Sequence, residues 1–258
     1  MDASDESQMI WVNGVKTDRV SVLDQAVVHG LGVFETLRTY GTVPFRFEAH
    51  LERLKDSAVA LGIPCDLGLV EAECLAHCES NVSLRYTLTG SGNRILQVRP
   101  IDPAYVGAPR RVAAMEWPAT IGLPGTVKHT SRAPWIAAAQ ALQVDEVLLC
   151  SSDGRILEAN RSNVFVIREG TIQTPPLDGS QLAGITRAAL LEAGQQAGLP
   201  IQEKAIYSWE DFDALYLSST LKELSPVTAL GEEVLPEHHP LGDALHDAFR
   251  ALIEQECP

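Results

Sequence analysis

The stretch GVFETLRTYGTVPFRFEAHLERLKDSAVALGI, residues 32–63, predicts the type of fold. Its first half has two apolar segments separated by Tyr40-Gly41, a pattern typical of a β-hairpin with a short turn. Its second half carries apolar residues three and four positions apart, which marks one face of an amphipathic helix. These apolar residues are Leu51, Leu54, Ala58 and Leu61. A hairpin followed directly by a helix is typical of an α+β fold.

The rest of the chain repeats this mixture of short strands and helices. The pair Asn13-Gly14 predicts an earlier hairpin, since Asn-Gly is a strong signal for a two-residue turn. The segment EWPATIGLPGT, residues 116–126, combines prolines and glycines without periodicity and is typical of a connection between domains. We therefore expect an α+β chain with a small N-terminal domain over residues 1–115, a linker over residues 116–126 and a larger C-terminal domain over residues 127–258.

Composition limits the classes of protein to which the chain can belong. Its 258 residues are 45% hydrophobic and 21% charged, as in an ordinary globular enzyme. The formal net charge of −14 argues against nucleic-acid binding, which depends on basic surfaces. No apolar stretch approaches the roughly 20 residues of a membrane-spanning helix, and the acidic start MDASDESQMI does not resemble a secretory signal. Five cysteines without a zinc-like ligand pattern favour a reducing cytoplasmic setting and no metal.

Four features outside the hydrophobic pattern need an explanation. The segment LAGITRAALL, residues 182–191, opens a helix whose first N–H groups suit a phosphate, although an ordinary helix cap is the simpler explanation. The segment YLSSTLKE, residues 216–223, ends a strand and suits an anion, although a Ser/Thr turn is the simpler explanation. Arg53 is either a surface cation or a phosphate ligand. Glu158, in RILEANRSNVF, is either an edge charge or the partner of a cationic nitrogen.

Lysine is scarce in the chain, and Lys128 differs from the others in its surroundings. It follows a Pro-Gly connection and has no acidic residue close to it in the sequence GTVKHTSRAPW, residues 125–135. The other four lie beside turns or charged neighbours: Lys16, Lys55, Lys204 and Lys222. An amine without a nearby counter-ion at a domain junction is a candidate nucleophile. Lys128 is therefore a candidate catalytic residue.

Six sequence blocks occur in the order seen in one enzyme family. They are HGLGVFETLR, EAHLERLKDSA, VKHTSR, DEVLLCSSDGRILEANRSNVFV, LAGITR and SSTLKELSPV. Through these blocks the chain resembles the class IV aminotransferases, the fold type IV enzymes that use pyridoxal 5′-phosphate (PLP). The resemblance implies a small α+β domain and a larger barrel-like domain with the cofactor between them. It also implies a small-molecule amino-group substrate and a homodimer whose active site includes residues of the partner subunit.

The resemblance implies a role for each candidate residue. Lys128 matches the lysine that forms an aldimine with the cofactor and moves the proton at the substrate Cα. Glu158 matches the carboxylate that pairs with the pyridinium nitrogen and keeps the ring electron-withdrawing. The remaining matches are to residues that bind the cofactor phosphate: Arg53, Ile185, Thr186 and Thr220.

Three departures from the family pattern concern the substrate and not the cofactor. Leu31 replaces the aspartate often found between two glycines, and Ser131 replaces an asparagine three residues after the lysine. Ala133 replaces a tyrosine that branched-chain enzymes place five residues after the lysine. The resemblance therefore does not identify the substrate.

Two reactions remain possible at this point. The short chain, a Gly-Ser-Gly-x-Arg run ending at Arg94, and the group Lys128-His129 with Arg132 favour an aminodeoxychorismate lyase, which releases pyruvate and leaves 4-aminobenzoate for folate synthesis. The alternative is a D-amino acid or amine transaminase that passes the amino group to a 2-keto acid such as 2-oxoglutarate. Tentative substrate ligands are His29, Arg94 and Arg132. A cofactor-binding scaffold without turnover would predict damage at the lysine or the glutamate, and neither is damaged.

Overall fold

The chain has an α+β architecture in the computed structural model, which describes residues 8–117, 123–208 and 211–258. The α+β prediction is thereby confirmed. The described residues form two compact units. Unit 1 contains residues 8–102 and 127–132 together with Cys257. Unit 2 contains residues 103–117, 123–126, 133–208 and 211–256 together with Pro258.

Unit 1 is built on a six-stranded antiparallel sheet with the strand order β2-β1-β6-β5-β3-β4. Its strands are β1 Met9–Val12, β2 Val15–Lys16, β3 Gly32–Tyr40, β4 Val43–Pro44, β5 Val82–Thr89 and β6 Arg94–Pro100. Its helices are α1 Gln25–His29, α2 Phe47–Ala60 and α3 Leu67–Leu75.

The two faces of this sheet differ, because successive side chains of a strand point to opposite sides. Val33 and Leu37 of β3 belong to a buried core that also contains Leu51 and Leu54 of α2. Helices α2 and α3 cover this side, which is called the helix-covered face below. Phe34 alternates with these core residues and lies on the opposite face.

The hairpins and helix α2 predicted for unit 1 are confirmed, whereas helix α1 was not predicted. Asn13 and Gly14 both have positive φ, 52° and 77°, as a two-residue turn of this kind requires. Helix α1 has only five residues, too few for a periodic pattern. It begins where the Asp24 carboxylate accepts a hydrogen bond from the Ala26 N–H at 2.7 Å.

Unit 2 is built on a nine-stranded mixed sheet with the order β12-β11-β10-β13-β14-β7-β8-β9, and β15 pairs with β14. Strand β7 is parallel to both β14 and β8, and β11 is parallel to β12. The strands are β7 Arg110–Glu116, β8 Glu146–Cys150, β9 Ile156–Ala159, β10 Asn163–Arg168, β11 Thr171–Thr174, β12 Ile201–Glu203, β13 Ala214–Ser219, β14 Glu223–Leu230 and β15 Glu233–Val234. The helices are α4 Ala133–Leu142, α5 Ile185–Gln196 and α6 Pro240–Glu256, with a 3₁₀ turn at Pro103–Tyr105.

The boundary between the units differs from the predicted domain boundary at residue 115. Strand β7 pairs with β8 and β14, so residues 103–117 belong to unit 2 and not to the N-terminal domain. Residues 127–132 belong to unit 1, because the Phe34 N–H donates to the Lys128 carbonyl at 2.9 Å. Both errors arise from pairing between segments far apart in the chain. Within the predicted linker, residues 118–122 lie outside the described residues.

Three further expectations concern membranes, metals and thiols. Within the described parts of the chain, every helix is too short or too polar to cross a bilayer. The His, Cys, Asp and Glu side chains of the same residues form no group of three that could hold a metal ion. All five cysteines are free thiols.

Candidate active site

Lys128 lies beside strand β3 in unit 1. Its carbonyl accepts the Phe34 N–H, and its own N–H donates to the Ser57 hydroxyl of α2 at 3.2 Å. Its side chain is partly buried, and Nζ lies 5.0 Å from the centre of the Phe34 ring. Because an aromatic face attracts a cation, this contact holds the amine over the ring.

His129, the next residue, points to the other side of the sheet. It forms a β-bridge with Val33, and paired residues of neighbouring strands share a face. Burial and the charge of Arg132 lower the pKa of His129 to about 4. The imidazole is therefore neutral at pH 7 and is turned away from Phe34.

Arg53 of α2 is held by a buried carboxylate that the sequence did not single out. Its Nε donates to Glu35 Oε1 at 2.7 Å, and its Nη2 donates to Glu35 Oε2 at 2.8 Å. His50 Nδ1 lies 2.8 Å from the same Oε2. This two-point contact fixes the plane of the guanidinium. We call Glu35, His50 and Arg53 the Glu35 cluster.

Glu35 and His50 of this cluster differ in their charge states at pH 7. Burial alone would raise the pKa of Glu35, but Arg53, followed by His50, holds that pKa well below its usual value. Burial, with the charges of Arg53 and Lys128, lowers the pKa of His50 below its ordinary value, although Glu35 acts in the opposite direction. Glu35 is therefore anionic and His50 neutral at pH 7.

The face of the unit 1 sheet opposite α2 and α3 carries Phe34 and three arginines. They are Arg38 of β3, Arg85 of β5 and Arg99 of β6, and we call this surface the arginine face. The guanidinium carbon of Arg85 lies 3.6 Å from the centre of the Phe34 ring, the same ring that Lys128 contacts. Burial, and then the charge of Arg99, lower the pKa of Arg85 to about 10. Cations held this close together favour the binding of an anion.

In unit 2, Glu158 is bound to the loop that precedes helix α5. Its Oε2 accepts a hydrogen bond from the Leu182 N–H at 3.2 Å. The Asn163 side-chain amide donates to the Leu182 carbonyl at 2.9 Å. A Cβ at Gly184 would lie 1.8 Å from Asn163 Oδ1, so a larger residue does not fit there. The loop is therefore fixed to both β9 and β10.

Helix α5 begins without a side-chain cap. Its N-cap residue, Gly184, supplies no side-chain hydrogen bond to the first turn, which begins with Ile185 and Thr186. The first N–H groups of a helix, at its positive end, are groups that bind phosphate. Thr220, in the connection between β13 and β14, adds a partly buried hydroxyl to unit 2. The first turn of α5 and the Thr220 hydroxyl therefore each offer donors of the kind that a phosphate accepts.

The three tentative substrate ligands have different surroundings. Arg94 forms an ion pair with Glu73 of α3 at 2.9 Å and lies opposite Leu88, which places it on the helix-covered face. Arg94 therefore lies on the face opposite Phe34 and Arg85. His29 is exposed at the end of α1. Arg132 is partly buried and lies three residues after His129, whose pKa its charge lowers.

Neither Glu35 nor Arg85 was predicted from the sequence to lie at the site. Alternation along β3 already assigns Phe34 and Glu35 to opposite faces, so this signal was available. The position of Arg85 depends on the register of β5 against β3, where Arg85 pairs with Thr36. Sequence periodicity does not give that register.

The fold matches that of solved transaminases. A fold IV-transaminase from Curtobacterium pusillum superposes with a TM-score of 0.84 at 26% identity, covering 97% of this chain and 99% of that one. A protein of Thermotoga maritima, named as a probable branched-chain-amino-acid aminotransferase, is 28% identical over 249 residues, or 90% of each chain. The branched-chain-amino-acid aminotransferase of Escherichia coli K12 is 26% identical over 97% of this chain and 94% of its own.

A family model for amino-transferase class IV matches residues 32–230, which is most of the chain. The chain therefore belongs to the amino-transferase class IV family. Enzymes of this family depend on PLP, and the chain is a PLP-dependent enzyme of fold type IV. The relatives described here are aminotransferases, and they do not support the predicted branch toward aminodeoxychorismate lyase.

Proposed function

We propose that the chain is a transaminase that moves an amino group between an amino acid and a 2-keto acid such as 2-oxoglutarate. The observation that carries this proposal is the pair of cations at Phe34, with Lys128 Nζ at 5.0 Å and Arg85 at 3.6 Å from the ring centre. An amine suited to covalent chemistry thus lies near a guanidinium suited to a carboxylate. Amino acids and 2-keto acids carry a carboxylate next to the reacting carbon.

The proposed roles of the cofactor-binding residues follow the family resemblance. The chemistry that bound PLP supplies is the withdrawal of electrons from the substrate Cα. Lys128 would hold the cofactor through its Nζ and would accept and return the Cα proton of the substrate. Glu158 would accept a hydrogen bond from the ring nitrogen of the cofactor. The proposed phosphate ligands are Arg53, the helix-start residues Ile185 and Thr186, and Thr220.

The Glu35 cluster supports the phosphate role of Arg53. With Nε and Nη2 bound to Glu35, the guanidinium has a fixed orientation before any phosphate binds. Binding to an ordered group avoids the entropic cost of ordering a long side chain. Arg53 is therefore a preorganised ligand, and its exposed fraction of 12% allows contact with an anion.

The arginine face supports an acceptor that carries a second carboxylate. Arg38 and Arg99 share this face with Arg85, so more than one guanidinium is present for the two anionic groups of 2-oxoglutarate. The relatives from Thermotoga maritima and Escherichia coli are named for branched-chain amino acids. L-Leucine and L-valine are therefore the first amino donors to test, followed by D-amino acids and amines.

Aminodeoxychorismate lyase is the weaker candidate. The Gly-Ser-Gly-x-Arg run that favoured it ends at Arg94, and Arg94 is bound by Glu73 on the helix-covered face. His129, the second feature that favoured it, is also turned away from Phe34. The relatives from Thermotoga maritima and Escherichia coli are named as aminotransferases, which makes transamination the better-supported reaction.

The test of the proposed function is an assay of the purified holoenzyme with each donor in the presence and absence of 2-oxoglutarate. We expect glutamate to form only when both are present, and Lys128→Ala should abolish both turnover and the visible absorption of the lysine-bound cofactor. Release of pyruvate from aminodeoxychorismate without a keto-acid acceptor would replace the transaminase proposal with the lyase.

We also propose that two copies of the chain associate into a homodimer. Adjacent apolar residues at the start of unit 1 are strongly exposed, with Val22 at 77% and Leu23 at 80%. Val27 and Val28 of α1 are more than half exposed as well. Apolar surface of this kind marks an interaction site. Light scattering should give twice the mass of one chain, and Leu23→Glu with Val27→Glu should give the monomer.

A further inference from the structure

Lys222 is a buried cation that has no part in the proposed chemistry. It lies two residues after Thr220, and its side chain is 2% exposed. Its Nζ forms an ion pair with Glu146 of β8 and donates to the Ser162 hydroxyl at 2.7 Å. Ser162 in turn donates to Glu146 Oε2 at 3.0 Å. We call Lys222, Glu146 and Ser162 the Lys222 cluster.

Such an ion pair is a poor source of stability. Removing two charges from water costs about as much as their attraction returns, and apolar residues of similar size often serve as well. Glu146 is completely buried, so the desolvation of this pair is nearly complete. The best-attested role of a buried ion pair of this kind is to select one arrangement of the chain.

The backbone of Lys222 is also fixed. Its N–H donates to the Ser219 carbonyl at 3.2 Å, and its carbonyl accepts the Gly107 N–H at 3.0 Å. The first of these bonds closes a turn in which Thr220 is a central residue. The side chain and the backbone of Lys222 together bind the turn to β8, to the start of β10 and to the segment before β7.

Glu223 fixes the turn on its other side. It has a left-handed backbone conformation, with φ of 60°, which residues other than glycine seldom adopt. Its buried carboxylate lies 2.9 Å from His246 Nε2 and forms an ion pair with Arg250, both on α6. The consecutive residues Lys222 and Glu223 therefore bind different partners, and Thr220 is confined between two anchored positions.

The Lys222 cluster also reaches the start of helix α5. Ser162 is followed by Asn163, which donates to the Leu182 carbonyl and contacts the backbone at Gly184 closely. The same cluster thus supports both the turn that carries Thr220 and the strand that supports the first turn of α5.

We propose that Lys222 and Glu146 are positioning residues that hold the Thr220 hydroxyl and the start of α5 in the arrangement that binds a phosphate group. This inference rests on the proposed role of Thr220 as a ligand of the PLP phosphate. Loss of the ion pair displaces these groups while the sheet of unit 2 remains intact. The expected consequence is weaker binding of PLP without a comparable loss of folding.

The experiment measures the affinity of the full-length apoprotein for PLP by fluorescence, together with its unfolding temperature. The double variant Lys222→Met with Glu146→Leu replaces the ion pair by apolar side chains and leaves no charge buried. We expect it to fold with an unfolding temperature close to that of the parent and to bind PLP about 10-fold more weakly, since a small displacement of a ligating group is costly. Parental affinity in the folded double variant would overturn the proposal.

A milder change covers the case in which the double variant does not fold. Ser162→Ala removes one hydrogen bond to Lys222 and one to Glu146 without placing a charge in the interior. We expect a smaller loss of PLP affinity, and unchanged affinity in Ser162→Ala would also count against the proposal.

Thr220→Val separates failure of this inference from failure of the proposed function. It removes the hydroxyl and should weaken PLP binding. Adding the double variant to it should weaken binding further by less than the double variant does alone, because coupled residues are not additive. If Thr220→Val binds PLP like the parent, the assigned role of Thr220 fails. If Thr220→Val weakens binding and the double variant does not, or if the two effects are fully additive, the positioning role alone fails.

Discussion

The Glu35 cluster of unit 1 and the Lys222 cluster of unit 2 both bury an ion pair, but their cations differ in what they can contact. The Arg53 side chain is 12% exposed, whereas that of Lys222 is 2% exposed. Glu35 fixes the plane of the Arg53 guanidinium, which is still accessible to solvent and can therefore contact an anion. Glu146 binds an ammonium that is enclosed by its own unit. A buried carboxylate can thus prepare a ligand directly, or it can position neighbours of a ligand.

The chemistry of the two cations matches these two roles. A guanidinium is planar and has five N–H donors, so two of its nitrogens can bind a carboxylate while others remain for a phosphate. An ammonium is a compact charge with three donors. In Lys222 these donors serve Glu146 and Ser162 inside the protein.

Lys222→Met should produce the largest loss of stability, about 3–5 kcal/mol, because it leaves the Glu146 carboxylate buried without a cation. Urea denaturation measures this free energy of unfolding. The control is the double variant with Glu146→Leu, which should recover most of the loss. A loss below about 1 kcal/mol, the size expected for an exposed pair, would show that water reaches Glu146 and would remove the contrast between the clusters.

Glu35→Gln should cost less, about 2–3 kcal/mol, since the new amide oxygen still accepts a hydrogen bond from Arg53 and the guanidinium can reach water. The same urea measurement applies, and PLP affinity should fall as well because the orientation of Arg53 is relaxed. A loss of stability as large as that of Lys222→Met would mean that exposure of the cation does not distinguish the clusters.

Local patterns predicted part of the secondary structure of unit 1. The Asn13-Gly14 turn has a specific backbone requirement, and the apolar face of α2 has a period that can be read directly. The sequence itself singled out Lys128, Arg53 and Glu158, and resemblance to the family supplied their roles, which remain proposals. Short elements without such signals were missed, as with the five residues of α1.

Long-range pairing explains the remaining errors. Arg94 and Arg85 lie on adjacent strands, yet register places Arg94 on the helix-covered face and Arg85 beside Phe34. Lys222 is followed by Glu223 and reads as part of a polar turn, but its partners are Glu146 and Ser162, which are distant in the chain. Neither hydropathy nor periodicity reports a contact of this kind.

Arg53→Lys keeps the positive charge at this position but removes the planar guanidinium that binds Glu35 through two nitrogens. One of the two bonds to Glu35 is lost, so we expect a loss of about 1 kcal/mol in the free energy of unfolding and clearly weaker PLP binding. Arg94→Lys is the matched control, since Arg94 is also paired with a carboxylate in unit 1. It should lose similar stability and keep the parental PLP affinity. Equal effects of the two variants on PLP affinity would contradict the phosphate role of Arg53.

The smallest expected effect is the pH dependence that histidine adds to unit 1. The folded-state pKa of His50 lies below its ordinary value of 6.5, and that of His129 is about 4. Between these values and pH 6.5 the unfolded chain binds protons that the folded chain does not, so stability decreases as the pH falls below 6.5. Glu35 changes the stability in the same direction, because its folded-state pKa lies below 4.5. It therefore adds to the loss of stability at lower pH.

His50→Gln should therefore flatten the decrease in unfolding free energy between pH 6.5 and pH 5, by on the order of 1 kcal/mol. Glutamine keeps a donor for Glu35 and does not titrate, so the hydrogen bond is separated from the charge. His129→Gln tests the second imidazole in the same way, and urea denaturation at several pH values measures both. A slope that stays parental in both variants would mean that neither histidine is held neutral by the fold, and the charge difference between Glu35 and His50 would have to be abandoned.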